Sequence, residues 1–546
     1  MDRLEKAKQL FLEALALHEK GDLERAARLY QEALALAPER PSVMNNLAAV
    51  YLKLKRYLEA KRLCERLLQI HPEDEGALVN LGACQIKLDS PEDALTSCDR
   101  ALAVKPDFAD ALNNRGNALM ELNRLEEAVA SYERALAIKP DYADALNNLG
   151  NALVGLGREG EANACFRRAV TLEPDEAERH FRFGNALSAQ HRWDEATAQF
   201  ERALELNPAS ADAEFGLAGV RLFQQQFERG WPGYERRLEV EHYRRKYFRD
   251  SQASVLLYER LARWRGPGEA GVGDVAIWAE QGIGDQVLFS TLIPELIEAG
   301  VPFVYEVDHR LLAAYERAFP GARFVAKEDP PQEALQRARY ALAIGSLPGL
   351  FRRSREDFAR QPAKLLSALP ERAAYYRHRL DALEPGLKVA LSWRSTRKDW
   401  WVTKKSAPLA DFTPLLKLAG VRFVDVQYGD TAAERNAVEA AAGVRLTRFD
   451  EVDHLAELEE VLAILEACDL LITSSNATAH FAGALGKRTW LLYPADQGPF
   501  HYWAHDGSHR SLWYPSVEIV TGKQFTEWES LIRHAAEKLA HEKSGN

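Results

Sequence analysis

Sulfur is scarce in this chain of 546 residues, which holds five cysteines with no CxxC spacing and three methionines. An odd cysteine count without CxxC spacing argues against a disulfide framework and against a paired-thiolate metal or redox motif. Cys64 and Cys98 share one position in the pattern described below and read as small buried hydrophobes. No uninterrupted apolar run reaches the roughly 20 residues that a bilayer-spanning helix needs. A basic excess is missing too. Lysine and arginine total 70 against 81 acidic residues, a net charge of −11, which argues against a nucleic-acid backbone as main partner. The opening MDRLEKAKQLFLEAL is amphipathic and charged, without the basic-then-apolar layout of a signal peptide, so the cytoplasm is the expected compartment.

What is present is periodic. Proline recurs every 34 residues, at Pro38, Pro72, Pro106, Pro140, Pro174 and Pro208. Ala26, Ala60, Ala94, Ala128, Ala162 and Ala196 keep the same step, as do Ala48, Gly82, Gly116, Gly150 and Gly184. Small residues recur where two helices cross closely, and the proline follows a second helix that its ring cannot continue. The pattern resembles the tetratricopeptide repeat family, with units starting near Ala7, Pro41, Glu75, Ala109, Ala143 and Ala177. A degraded seventh unit starts at Ala211 and has His242 where the proline would fall. Such stacked helix pairs offer a long groove for an extended partner chain. Two asparagine series, Asn46, Asn80, Asn114, Asn148 and Asn117, Asn151, Asn185, are expected to line it, because an amide can hydrogen-bond any peptide backbone. The plainer alternative is that these amides satisfy neighbouring turns.

Beyond about residue 245 the step disappears and apolar strands alternate with helices. DVAIWAEQGIGD, VPFVYEV, ARFVAKE and YALAIG form one series over 274–345. LKVALSWRS (387–395), VRFVDVQYG (421–429), CDLLITSSN (468–476) and RTWLLYP (488–494) form a second, with a helical bridge expected over 362–385. This predicts two parallel, doubly wound halves whose ligands lie beyond the strands' carboxyl ends. Domain boundaries are expected at 1–244, 245–385 and 386–546. Three loops carry candidate chemistry. Gly282 and Gly284 let a backbone approach a ligand, with Asp285 at a helix start, where it also fits a plain N-cap. The loop SWRSTRKDWWVTKKS (392–406) gathers Arg394, Arg397, Lys398, Lys404 and Lys405 beside three tryptophans, as a phosphate site or a solvated basic loop. The segment SSNATAHFAGALGKRTW (474–490) opens a helix whose free N–H groups suit a phosphate.

Taken with GWPGYERR (230–237), EQGIGDQVLF (280–289), GSLPGLF (345–351), Gln427 and LWYPS (512–516), these loops resemble a bacterial family. It joins tetratricopeptide repeats to a GT-B glycosyltransferase related to lipopolysaccharide heptosyltransferases and, more distantly, protein O-GlcNAc transferases. The resemblance implies an all-α repeat solenoid followed by an α/β GT-B fold of two Rossmann-like halves. It gives Asp285 the role of catalytic base and places donor binding at Gly282, Gly284, Trp393, Arg394, Lys404, Lys405, Gln427, Ser475, Asn476, Thr478, Ala479 and His480. Tyr502 and Trp503 are expected to stack on donor or acceptor, or to belong to the core. Two departures bear on the donor. Many relatives carry Asp-Thr where this chain has Ser475-Asn476, and Asp-Trp-Arg-Trp where it has the stretch Gln497 to Trp503. The sugar and base are therefore left open. A CMP-nonulosonate would fit relatives that resemble flagellin-modifying transferases.

The expected activity is an inverting, metal-independent transfer from a nucleotide-sugar to a Ser or Thr of a protein in the groove, flagellin being one such acceptor. No DxD stands at a strand end, no cofactor is implied, and neither nucleic acid nor a membrane span is expected. The rivals are a non-catalytic repeat scaffold with a degraded transferase half, and a glycan-directed enzyme of the heptosyltransferase kind.

Overall fold

The computed structural model describes residues 3–241, 243–244, 252–269, 274–383, 385–395, 406–494, 503–521 and 527–544. It divides into two compact units, Met1–Ala186 and Leu187–Asn546. The division falls inside the sixth repeat. His242, Arg397, Lys398, Lys404, Lys405, residues 497–501 and Tyr502 lie outside the described residues.

Fourteen helices cover Arg3–Tyr234 in seven antiparallel pairs, and the first helix of each unit from the second onward starts at Pro41, Glu75, Ala109, Ala143, Ala177 and Ala211. The glycine column is explained by rings and thiols 16 residues on. A Cβ on Gly116 would meet the Tyr132 ring at 2.4 Å, and one on Gly150 or Gly82 would meet Phe166 at 2.7 Å or Cys98 Sγ at 2.8 Å. A further column appears in the turns within each pair. Gly21, Lys55, Asp89, Asn123, Gly157, His191 and Gln225, all 34 apart, adopt left-handed backbone, φ 56° to 80°. The next residue's N–H then bonds back six residues along the numbering inclusive of both ends, as from Asp22 to Leu17 O and from Gln226 to Arg221 O, closing the helix end. Gln225 shows that the degraded seventh unit keeps the repeat's turn.

The asparagines behave differently from a peptide ladder. Asn80 Nδ2 donates to Asn45 O (3.3 Å), Asn114 Nδ2 to Val79 O (3.3 Å) and Asn148 Nδ2 to Asn113 Oδ1 (3.0 Å), each 35 residues back in the preceding repeat. Asn46 bonds within its own helix to Ser42 O, and Asn117 accepts from the Tyr132 hydroxyl at 2.7 Å. These five amides tie helices together through one end of each side chain. Asn151 is half-buried and Asn185 exposed. Arginines add a second tie: Arg66, Arg100, Arg134 and Arg168 donate to the carbonyls of Pro38, Pro72, Pro106 and Pro140, 28 residues back.

The second unit holds two five-stranded parallel sheets. The first contains β1 (Ala262–Arg263), β2 (Val275–Trp278), β3 (Phe303–Val307), β4 (Arg323–Ala326) and β5 (Tyr340–Ala343), in spatial order β1-β5-β2-β3-β4. The second contains β6 (Leu387–Ser392), β7 (Val421–Asp425), β8 (Leu470–Thr473), β9 (Thr489–Leu492) and β10 (Val517–Val520), ordered β7-β6-β8-β9-β10. Eight strands match the expected segments, while β1 and β10 were not anticipated. The bridge helix is shorter than its expected span, at Pro370–Asp381. Strand order reverses between β2 and β5 in one sheet and between β6 and β8 in the other, which opens a crevice at each pair of carboxyl ends. Among the described residues no helix is long and apolar enough to cross a membrane.

Candidate functional site

At the first crevice β2 runs out through Ala279, Glu280 and Gln281 into the helix Ile283–Ser290. Asp285 lies in the first turn of that helix, half-exposed, and its Oδ2 accepts from the Gly282 N–H at 3.1 Å. Gly282 is the N-cap and Asp285 the third helical residue, so Asp285 is not the N-cap expected as the plain alternative; its carboxylate reaches back to the cap's N–H, as in a capping box, and is held against the glycine turn. Glu280 points into the protein and is 1 % exposed. It accepts from the Tyr243 hydroxyl (2.9 Å), Gly345 N–H (3.0 Å) and Arg237, whose side chain is fully buried. Arg237 also donates to Ser346 Oγ at 3.0 Å. The Trp231 indole N–H bonds Arg352 O at 2.6 Å, the Arg352 guanidinium bonds Gln361 Oε1, and the Gln361 amide bonds Trp513 O at 2.8 Å. The motifs GWPGYERR, EQGIGD, GSLPGLF and LWYPS thus form one buried polar frame. Their sequence signal came from scaffold residues as much as from chemistry.

At the second crevice Gln427 is fully buried. Its Oε1 accepts from Trp393 N (2.9 Å), Arg394 N (3.0 Å) and Ser392 Oγ (3.1 Å), and its Nε2 donates to Arg394 O and Tyr428 O. That amide clamps the end of β6 to the loop after β7, which corrects its expected place on a base or ribose. Trp393 is likewise in the core with its indole N–H on Glu434 (2.8 Å). Arg394 is half-buried, pairs with the same Glu434 at 3.1 Å and donates to Asp430 O. Asn476 caps the helix Ala477–Ala484 through Ala479 N and donates to Ser392 Oγ at 2.9 Å, joining β8's end to β6's. Ser475, half-buried, accepts from the Trp503 indole at 2.9 Å. Thr478 and Ala479 are buried in the helix's first turn.

The two helix starts meet. A Cβ on Gly284 would come within 2.8 Å of the His480 ring and 3.5 Å of Ala477 Cα, so only glycine allows this approach. His480 stacks on Trp503 (centroids 4.8 Å, 23°), and its Nδ1 lies 3.2 Å from the Tyr514 hydroxyl. Burial pushes the imidazole down to about 3, so it is neutral near pH 7. Trp503 is 3 % exposed and packs within this junction. Tyr514 went unnoticed in the sequence, although LWYPS was marked. Its ring fills the space over Gly483, where a Cβ would clash at 2.5 Å.

Tetratricopeptide repeat families match residues 17–67, 52–115, 116–157, 143–176 and 177–210. Residues 17–210 are tetratricopeptide repeats. A curated relative, Protein FlbA of Caulobacter vibrioides, is 32 % identical over 291 residues, covering 51 % of this chain and 48 % of FlbA. The chain thus spans about half the length of the relative it matches. Among solved structures, a thermophilic TPR protein of Thermus thermophilus is 28 % identical, with a TM-score of 0.31 over 33 % of this chain and 97 % of its own. YrrB, a TPR protein with an unusual peptide-binding site, is 25 % identical, with a TM-score of 0.26 over 33 % and 92 %. The chain is therefore a tetratricopeptide repeat protein with a C-terminal α/β region, and its repeats suggest a protein–protein interaction.

Proposed function

We propose that the α/β region is an inverting, metal-independent glycosyltransferase of the GT-B type. It moves a sugar from a nucleotide donor to a serine or threonine of a protein bound by the repeats, flagellin being the acceptor that the family resemblance suggests. The observation that carries this reading is the meeting of two helix N-termini, one from each sheet's crevice, at Gly284 and His480 with Asp285 beside them. Asp285 takes the proton of the acceptor hydroxyl as that oxygen attacks the anomeric carbon, and the nucleotide leaves with the glycosidic oxygen on its phosphate. The N-terminus of the helix Ala477–Ala484 offers partial positive charge to that phosphate. His480, being neutral, contributes shape and a hydrogen bond, so net positive charge must come from the loop that carries Arg394, Lys404 and Lys405.

One observation favours the scaffold reading: Gln427, Asn476 and Trp393 spend their polar groups inside the protein. Asp285→Asn separates the two. With a nucleotide-sugar and a protein acceptor, followed by intact mass, the variant is expected to lose about 10²–10⁴-fold in transfer rate while keeping nucleotide binding. Near-normal turnover would remove Asp285 as the base.

A further inference from the structure

The residue before the glycine turn is strained. Gln281 has φ 64°, a left-handed backbone that a residue with a Cβ adopts at a cost, and the side chain is neither glycine nor asparagine. It stands between the buried Glu280 and the Gly282–Asp285 turn, so its backbone sets the direction in which that turn leaves β2. Gln281 Nε2 donates to the Tyr234 hydroxyl at 3.0 Å. Tyr234 ends the second helix of the seventh repeat, Phe227–Tyr234, and is 4 % exposed. Its ring lies under the Arg237 guanidinium, 4.6 Å from ring centroid to Cζ, and Arg237 pairs with Glu280. Two consecutive residues of the loop, Glu280 and Gln281, are therefore gripped by Arg237 and Tyr234 of one short segment.

The geometry points to Tyr234 as a positioning residue: its hydroxyl holds Gln281 in the left-handed turn and so sets where Asp285 sits. This rests on the proposed transferase only for the consequence at Asp285. The grip itself is a property of the fold. It also gives the degraded seventh repeat a task of its own, since that repeat's last helix ends on the loop.

The test is a double-mutant cycle on the full chain with Tyr234→Phe, Gln281→Gly and the pair, read by amide hydrogen exchange. Tyr234→Phe removes only the hydroxyl and is expected to speed exchange of the 281–286 amides by about tenfold, leaving β3 unchanged. Glycine takes the left-handed turn without help. In the Gln281→Gly background the same Tyr234→Phe change is therefore expected to add less than twofold. An equal tenfold step in both backgrounds would show that the Tyr234 hydroxyl acts independently of Gln281 and would overturn the proposal. So would unchanged exchange in Tyr234→Phe. A coupled cycle in a protein that binds none of UDP, GDP, ADP or CMP upholds the positioning and counts against the transferase. Where one nucleotide does bind, Tyr234→Phe is expected to lower kcat several-fold with KM little changed, and the double variant to recover most of it.

Discussion

In the repeats, a side chain's partner stands at a fixed distance along the chain: 16 residues for glycine and ring, 28 for arginine and proline carbonyl, 35 for the asparagine ties. In the α/β unit the distances follow no rule. Arg237 reaches Glu280 across 43 residues, Gln361 reaches Trp513 across 152 and Gln225 reaches His505 across 280. A solenoid unit touches only its neighbours, so its contacts are local and repeated. A doubly wound unit brings together segments that the chain keeps apart. The two kinds of contact should fail differently, and the tryptophans let them be read separately, since all eleven lie at Trp193 or later. Indole fluorescence reports the second unit, and far-ultraviolet circular dichroism reports both.

The largest effect belongs to the buried pair. Arg237→Ala leaves Glu280 charged and unpaired inside the protein, at an expected cost of about 3–5 kcal/mol, seen as an earlier urea transition in fluorescence. Acid comes next. His480 titrates near 6.5 when unfolded and at about 3 when folded, so below pH 6.5 the unfolded state takes up a proton that the folded state refuses. Stability is full above 6.5 and falls as pH drops toward 3, by roughly 3 kcal/mol at pH 4. In His480→Asn that acid loss should shrink by the same amount; an unchanged pH slope would show that the ring is not buried in its neutral form. In the repeats, Gly116→Ala sets a methyl against the Tyr132 ring at a cost of about 1–3 kcal/mol, visible in the circular dichroism transition while fluorescence stays put. Smallest is Arg124→Ala. Arg124 and Glu127 form a two-pronged pair on the surface (2.7 Å), repeated as Arg158–Glu161 and Arg192–Glu195, and because solvent screens it, its loss should leave the circular dichroism transition where it was.

The repeat architecture was legible because its cause is local. Proline ends a helix and glycine admits a ring wherever they fall, so the columns gave helix starts to the residue at Pro41 or Ala109. The left-handed turns were hidden although they keep the same step, because Lys55, His191 and Gln225 fill positions where glycine or asparagine would have been conspicuous. The asparagines were visible, but their spacing is the same whether an amide faces a guest peptide or the next repeat. In the α/β unit the strands read easily as apolar runs, except β1, only two residues long and ending in Arg263, and β10, where Glu518 interrupts VEIV. Asp285 and the Ala477 helix start were recognisable as a pair of loops, yet their meeting depends on Gly284 against His480, a contact between residues 196 apart that no local pattern encodes. Gln427 stood out as a polar residue at a strand end, the same signal for a ligand contact and for the clamp that it forms.

The most direct test of the transferase is a thermal-shift series of the full chain against UDP, GDP, ADP and CMP. The account predicts that one base stabilises the protein, by roughly 2.7 kcal/mol when the nucleotide is at 100 times its Kd, and that the shift appears in indole fluorescence. A flat response to all four at millimolar concentration would contradict it and leave a repeat scaffold.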